Sequence, residues 1–136
     1  MITLTLPHAT PSQNVYQRYH WHRQHKLLNS YRMLIRAGLN KLGLFGAAPP
    51  EHRVSVTIRR YCAGHLDRGN FIGGCKPLLD ALKHEGVIRD DTETWLDDRY
   101  EQHEARRCEA RTEIEIDGLD DMRVARDARA DGAVMV

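Results

Sequence analysis

Apolar and polar residues alternate in three segments of the chain, and this alternation predicts β-strands. Residues 2–6 alternate isoleucine and leucine with threonine, and the same period of two recurs over 54–61 and 112–116. A strand with one buried face has this pattern. A further strand is expected around 94–104, so four strands are predicted.

Two other segments have apolar residues at the three- and four-residue spacing of an amphipathic helix. The first runs from about 25 to 42, with apolar positions at Leu27, Leu28, Tyr31, Leu34, Ile35, Leu39 and Leu42. The second has its apolar side chains at Cys75, Leu78, Leu79 and Leu82. Pro77 must lie in the first turn of the second helix, because a later proline would clash with the preceding turn. Glycine commonly ends a helix, so Gly43 and Gly46 are expected to end the first and Gly86 the second.

The segments between these elements are predicted as loops. Prolines interrupt residues 7–12, and glycine and charged residues dominate 62–70. Residues 13–26 are polar, aromatic and basic, so we predict a surface loop that leads into the first helix. A turn is expected near 105–109. The weakly periodic segment 118–136 predicts a short helix or a disordered tail.

The resulting order of elements is β-α-β-α-β-β. Both long connections contain helices, which indicates an α/β or α+β fold with helices packed on one mixed four-stranded sheet. A chain of 136 residues suits a single domain with its own core. We therefore expect one domain over 1–117, followed by the C-terminal segment 118–136.

Composition and cysteine usage narrow the class of protein. The chain is 41% hydrophobic and 29% charged, which is ordinary for a soluble globular protein. No stretch approaches the roughly 20 apolar residues that span a bilayer, and the first residues lack the pattern of a signal peptide. We expect a cytoplasmic protein with no membrane partner. The cysteines, Cys62, Cys75 and Cys108, are odd in number and widely spaced, which favours reduced thiols over disulfides or a four-cysteine zinc site.

Charge is unevenly distributed, although the formal net charge is only +1. Residues 1–50 contain no Asp or Glu, and their basic residues are Arg18, Arg23, Lys26, Arg32, Arg36 and Lys41. The rest of the chain is therefore net acidic. This asymmetry indicates either a basic surface for a polyanion with a separate acidic site, or a helix with a solvated basic face. Composition does not choose between these two interpretations.

Three aspartates are the candidate metal ligands. Asp67 lies in the loop after the second strand, whereas Asp90 and Asp91 follow the second helix, and spacing alone does not bring these places together. If the three carboxylates converge, they suit Mg²⁺, with Mn²⁺ as a substitute, because Mg²⁺ takes oxygen ligands and bridges to phosphate. Lys76 would then offset negative charge in a phosphoryl-transfer transition state. The alternative for an Asp-Asp pair is a solvated turn or a helix cap.

The residues around these aspartates resemble a known family, the RusA family of Holliday-junction resolvases. That family carries an Asp-x-Asp-Asn-Leu signature, then a lysine and an apolar run containing Asp-Ala-Leu. The similar segment here is 66–82, with the sequence LDRGNFIGGCKPLLDAL, and segment 86–91, GVIRDD, is similar to the family's second acidic signature. The resemblance covers about residues 2–117, and the two acidic motifs with the lysine and Asp-Ala-Leu are its specific part.

The resemblance implies a homodimeric, Mg²⁺-dependent endonuclease that makes paired cuts across a four-way DNA junction in bacterial or prophage recombination and repair. By position, Asp67 matches the first signature aspartate and Asn70 the asparagine. Asp90 and Asp91 match the second acidic pair, and Lys76 matches the lysine if a short glycine insertion is allowed. The resemblance thus makes the aspartates and the lysine the expected catalytic residues.

One position departs from the family pattern, because the second signature aspartate falls on Gly69. Three outcomes are open: the remaining aspartates suffice with extra water ligands, His65 or another acid substitutes, or the protein binds junctions and cuts them poorly. Asp80, in the Asp-Ala-Leu match, is expected to be structural. A largely buried aspartate needs a partner, here a backbone or basic group.

A histidine-rich stretch mixes basic and aromatic side chains, which suit phosphate contacts and stacking on unpaired bases. The residues expected to contact DNA are Asn14, Arg18, His20, His22, Arg23, Lys26, Arg68 and Asn70. Arg59 and Arg60 would add phosphate contacts, whereas Trp95 is expected in the core or an interface. The alternatives for His20, His22 and His25 are a solvated loop without a role, or a transition-metal site, for which no fourth ligand is evident.

Three functions therefore remain open from the sequence. The first is a structure-selective endonuclease, for which a dimer suits the near two-fold symmetry of a four-way junction. The second is a junction-binding protein with weak or lost cleavage, because Gly69 replaces a family aspartate. The third is a histidine-based metal protein unrelated to DNA.

Overall fold

The computed structural model describes residues 1–46 and 48–119, and these form a sheet covered by helices. The strands are β1 (Ile2–Leu6), β2 (Val54–Cys62), β3 (Leu96–Glu104) and β4 (Arg111–Asp117). The helices are α1 (Gln13–Gln17), α2 (Trp21–Lys41), α3 (Arg68–Gly74) and α4 (Lys76–His84). A single 3₁₀ turn, Arg107–Glu109, precedes β4.

The four strands are ordered β1-β4-β2-β3 in one mixed sheet. β4 pairs antiparallel with both β1 and β2, whereas β2 and β3 are parallel. A parallel pair needs a long crossover, and here α3 and α4 supply it. The predicted α+β fold with a mixed four-stranded sheet is therefore confirmed. Within the described part of the chain, no helix is both long and apolar enough to cross a membrane.

The core lies between the sheet and the helices α2 and α4. The alternating strand positions supply one side of it, as the sequence predicts: Leu4, Leu6, Val54, Val56, Ile58, Ile114 and Ile116 are buried. The helices supply the other side with Tyr31, Ile35, Leu39, Leu78, Leu79 and Leu82. Each large apolar side chain contributes at most roughly 1.5–3 kcal/mol on full burial.

The predicted loop over 13–26 is wrong, because α1 and the start of α2 occupy most of it. Ser12 caps α1, its Oγ accepting a hydrogen bond from the N–H of Val15 at 3.2 Å. His20 caps α2 through Nδ1, which accepts from the N–H of His22 at 3.3 Å. Trp21, His22 and Arg23, in the first turn of α2, are exposed. Hydrophobic periodicity therefore misses this turn, and capping decides where the helix begins.

The other boundaries lie close to those predicted. Pro77 is in the first turn of α4, and Gly43 and Gly86 have φ of 72° and 77° after their helices. The predicted loop over 62–70 is too long, since α3 begins at Arg68. The prediction for 118–136 falls, from residue 120 onward, outside the described residues.

Gly73 and Gly74 of α3 lie close to another part of the chain, which the sequence did not reveal. A Cβ on Gly74 would overlap the backbone carbonyl oxygen of Pro11, whereas a Cβ on Gly73 would meet only the end of the Gln13 side chain. Glycine at 74 thus allows α3 to lie against the loop over 7–12. The same loop is held by Thr112, whose Oγ1 donates to the carbonyl of His8 at 2.8 Å.

Gly74→Ala is expected to lower the free energy of unfolding by about 1–2 kcal/mol, because backbone must move to admit a methyl group. Urea unfolding followed by circular dichroism measures this change. Gly73→Ala is the matched control and should cost less, since a flexible glutamine can rotate away. Equal stabilities for the two variants would contradict the close approach of α3 to this loop.

Candidate functional site

The candidate acidic site is built where the chain turns back after α4. Val87 and Ile88 are fully buried, and the N–H of Val87 donates to the carbonyl of Leu82 at 2.9 Å. This anchored turn leaves the following residues, Asp90 and Asp91, half-buried at the surface beside α4. Packing therefore sets the position of the two aspartates.

Lys76, the first residue of α4, joins two carboxylates of this site. Its Nζ pairs with Asp91 and, at 3.1 Å, with Asp80 one turn further along the helix. The hydrogen bond to Asp91 is the main reason that the pKa of Lys76 is raised; burial opposes this shift, and Asp80 adds to it. The ammonium is therefore charged at neutral pH and lies between two negative groups.

Asp90 faces a different lysine. Its carboxylate pairs with Lys83 at 3.0 Å and accepts a hydrogen bond from the backbone N–H of Asp91 at 2.9 Å. These two contacts, the lysine first, lower the pKa of Asp90. Asp90 thus stabilises the turn, whereas Asp91 is the aspartate of the pair that meets Lys76.

Asp67 is the N-cap of α3. Its Oδ2 accepts a hydrogen bond from the N–H of Asn70 at 3.1 Å. Residues 1–46 and 48–119 include no hydrogen bond or ion pair between Asp67 and the other three predicted catalytic residues. Nor do they include three His, Cys, Asp or Glu side chains grouped so as to hold one metal ion. Convergence of Asp67, Asp90 and Asp91 on Mg²⁺ therefore stays a prediction.

Asp80 differs from its expected environment. The expected basic partner exists, since Asp80 pairs with Lys76, but the side chain is 39% exposed rather than largely buried. It belongs to the acidic site together with Asp91. The sequence offered a signal for this, because Lys76 and Asp80 are four residues apart and so lie on one face of a helix.

Asn70 and Arg68 of α3, both predicted to contact DNA, have different surroundings. The side-chain oxygen of Asn70 accepts a hydrogen bond from the N–H of Asn14 at 2.9 Å, which ties α1 to α3. Arg68 is exposed. It lines a cavity of about 230 Å³ beside His65 and Tyr100, so this arginine is available to a ligand.

The expectation that Arg60 contacts phosphates is corrected by its burial, whereas the same expectation for Arg59 stays a prediction. Arg60 is buried, and its Nε donates to the carbonyl of Thr10 at 2.9 Å. Arg59 bonds to Glu101 and Glu115 at 2.6 Å each. Both arginines thus hold strands and loops of the fold together.

The basic stretch around the start of α2 forms an exposed surface. Arg18, His20, His22, Arg23 and Lys26, all predicted to contact DNA, are solvent-exposed. Several of the rings and cations stack on one another. The guanidinium of Arg23 lies 4.1 Å from the ring centroid of Tyr19, and the rings of Trp21 and His22 are 3.5 Å apart.

The helical geometry bears on the alternative of a histidine metal site. His20 and His22 are the cap and the second residue of α2. Their rings stack, with centroids 5.0 Å apart. No metal-binding group of three is formed by the histidines that the structure describes.

The start of α2 also connects to the acidic site, which the sequence did not reveal. A cavity of about 310 Å³, here called the aromatic groove, lies between α1, α2 and α4. Its walls include Tyr16, Trp21, His25, Leu28, Pro77 and Asp80. Burial, with a smaller effect of the Asp80 charge, raises the pKa of Tyr16.

Comparison of the chain with protein-family models finds no match, and comparison with curated proteins finds none either.

Proposed function

We propose that this protein is a Mg²⁺-dependent, structure-selective DNA endonuclease that resolves four-way junctions in recombination and repair. The observation that carries the proposal is the Lys76 ammonium between the carboxylates of Asp80 and Asp91. A lysine and two aspartates at one surface supply the groups that phosphodiester hydrolysis uses. The basic surface at the start of α2 supplies a contact for the DNA backbone.

The oxygen donors of the acidic site fit Mg²⁺. This ion is usually held by one or two carboxylates together with water and substrate phosphates, so a preformed cage of three carboxylates is not required. Asp91 and Asp80 are the pair that would hold it, and the resemblance to RusA-type resolvases adds Asp90 and Asp67. When bound, the ion would polarise the phosphoryl group and lower the pKa of a water molecule.

The position of Lys76 supports a role in charge compensation. Without DNA, its ammonium neutralises part of the charge of Asp80 and Asp91. A DNA phosphate at this surface offers the same ammonium a third anionic partner. Lys76 would then donate a hydrogen bond to a phosphate oxygen, where negative charge grows in the transition state.

The substrate and assembly follow from the resemblance and from symmetry. A four-way junction has near two-fold symmetry and needs two cuts, so a homodimer would place one acidic site at each scissile bond. Arg18, His22, Arg23 and Lys26 would contact the backbone and set the orientation of the DNA, since such contacts fix register without reading sequence.

A second candidate function is junction binding with weak or lost cleavage. One observation favours it: Gly69 stands where the family has an aspartate. It predicts salt-dependent binding of branched DNA without turnover.

Incubation of the protein with a labelled four-way junction, while Mg²⁺ is titrated from zero, tests the proposal. Paired cuts that require Mg²⁺ and are absent from linear duplex of the same sequence are expected. Junction binding without cuts, at enzyme excess and with Mn²⁺ also tried, would support the binding protein instead. If the protein neither cuts the junction nor binds it in preference to linear duplex, both functions are rejected.

A further inference from the structure

One side chain of the aromatic groove is highly exposed, and its position in the fold does not explain why. Trp21 is 64% exposed, although it is the largest apolar side chain at the start of α2. The indole lies against the ring of His22, with the ring centroids 3.5 Å apart and the planes tilted by 30°, and it also forms a wall of the groove. An exposed, oriented aromatic plane beside a cavity is typical of a surface that stacks a flat ligand.

The size and composition of the aromatic groove agree with a small flat group. Its volume of about 310 Å³ is at the lower end of the range for ligand pockets. Leu28 and Pro77 give it apolar walls, while His25 and Gln24 place polar atoms at its edge. Gln24 is oriented by a hydrogen bond from its Nε2 to the carbonyl of Tyr16 at 3.1 Å.

The surroundings of the groove favour an anionic chain. Beyond His22, on the opposite face of α2, a second cavity of about 600 Å³ is lined by Arg23 and Lys26, and none of the described residues that line it carries a carboxylate. The acidic wall residue of the aromatic groove, Asp80, is paired with Lys76. Because this pairing compensates the charge of Asp80, the carboxylate repels a phosphate less. Cations next to an aromatic plane are the combination that binds single-stranded nucleic acid.

We propose that the aromatic groove takes an unpaired nucleobase of the DNA substrate, stacked on Trp21, with its strand continuing past His22 towards Lys26 and Arg23. This inference rests on the proposed function and names a binding site for it. The groove ends at Asp80, which contacts Lys76, so a base held there brings its own strand to the acidic site. The groove thereby selects strands whose bases are free to leave the duplex.

Binding of two single strands of equal length tests the assignment, one of thymidines and one of abasic residues, with EDTA present. The strands share phosphates and differ only in bases. The wild-type protein should bind the thymidine strand roughly 5- to 150-fold more tightly, the range that base stacking on one aromatic side chain produces. Trp21→Ala should remove this preference and leave binding of the abasic strand unchanged, whereas Trp21→Phe should keep part of it.

Met33→Ala is the matched control, because Met33 is 70% exposed on the same helix and is not among the groove residues. It should keep the full preference. Equal binding of both strands by the wild type, no binding of either strand, or a preference that survives in Trp21→Ala would overturn the assignment. A Trp21-dependent preference in a protein that does not cut junctions would reject the nuclease and keep the groove. Junction cleavage by a protein that shows no preference for the thymidine strand would keep the nuclease and reject the groove.

Discussion

Asparagine in place of Asp91 is expected to lower the rate of junction cleavage about 100-fold or more, while junction binding remains at least as tight. Asp91 is the aspartate that meets Lys76, and asparagine keeps its shape but loses the charge that would hold Mg²⁺. Loss of a direct metal ligand lowers activity more than loss of a residue that only supports such a ligand. Loss of a supporting residue typically lowers metal affinity or activity 10- to 100-fold. Because Asp91 no longer compensates the Lys76 ammonium, that positive charge attracts DNA more strongly.

Two variants make this prediction specific. Asp90→Asn should reduce cleavage less than Asp91→Asn, because Asp90 pairs with Lys83 and stabilises the turn. Asp117→Asn, at the end of β4 and opposite Ser55 in the sheet, should leave cleavage unchanged. Single-turnover cleavage rates and gel-shift affinities separate the chemical step from binding. A larger loss for Asp90→Asn than for Asp91→Asn would contradict the assigned roles.

Glutamine in place of Glu85 is expected to lower the free energy of unfolding by about 2–3 kcal/mol. The Glu85 side chain is only 4% exposed, and it accepts charged hydrogen bonds from Arg32 at 3.0 Å and from Arg36 at 2.9 Å. These bonds tie α2 to the end of α4. Removing one partner of such a group leaves the others uncompensated, which typically costs 3–5 kcal/mol when all are buried. The expected cost for Glu85→Gln is smaller, because Arg32 and Arg36 are partly exposed.

The stabilisation by Glu85 should depend on pH in a definite direction. Burial alone would raise its pKa, but the hydrogen bonds from Arg36 and Arg32 outweigh burial and lower it. A lowered pKa in the folded state means that the stabilisation is present above the unfolded pKa, about 4.3, and is lost as the pH falls through the folded value. The difference between wild type and Glu85→Gln should therefore be constant near neutral pH and shrink in acid.

A surface ion pair provides the control for this prediction. Glu101 pairs with Arg59, but its side chain is 46% exposed. Glu101→Gln should change the free energy of unfolding by less than about 1 kcal/mol, because exposed pairs contribute little. Chemical unfolding of both variants at pH 7 and pH 3 gives the comparison. A pH-independent difference for Glu85→Gln would show that the pair with the arginines does not stabilise the fold as described.

The candidate site was only partly predictable from sequence. The motifs singled out Lys76, Asp91 and Asp90, and the structure places these residues on α4 and in the turn after it. It was not predictable that Asp80 would share Lys76 with Asp91, because that pairing requires the chain to fold back beside α4. Asp67 caps α3, and its convergence with the other aspartates on one metal ion stays a prediction.

The sequence by itself determined the sheet and its buried face, because side chains in a strand alternate between core and solvent and the pattern is written in consecutive residues. It also determined where α4 begins and ends, through Pro77 and Gly86, since both residues act on local backbone geometry. Only the tertiary structure decided that the loop over 13–26 is mostly helical, that Arg60 is buried, and that Trp21 shares a groove with Asp80. These features depend on caps and on residues far apart in the chain, such as Trp21 and Asp80, which line the same groove although they are 59 positions apart. Local periodicity carries no information about such distant partners.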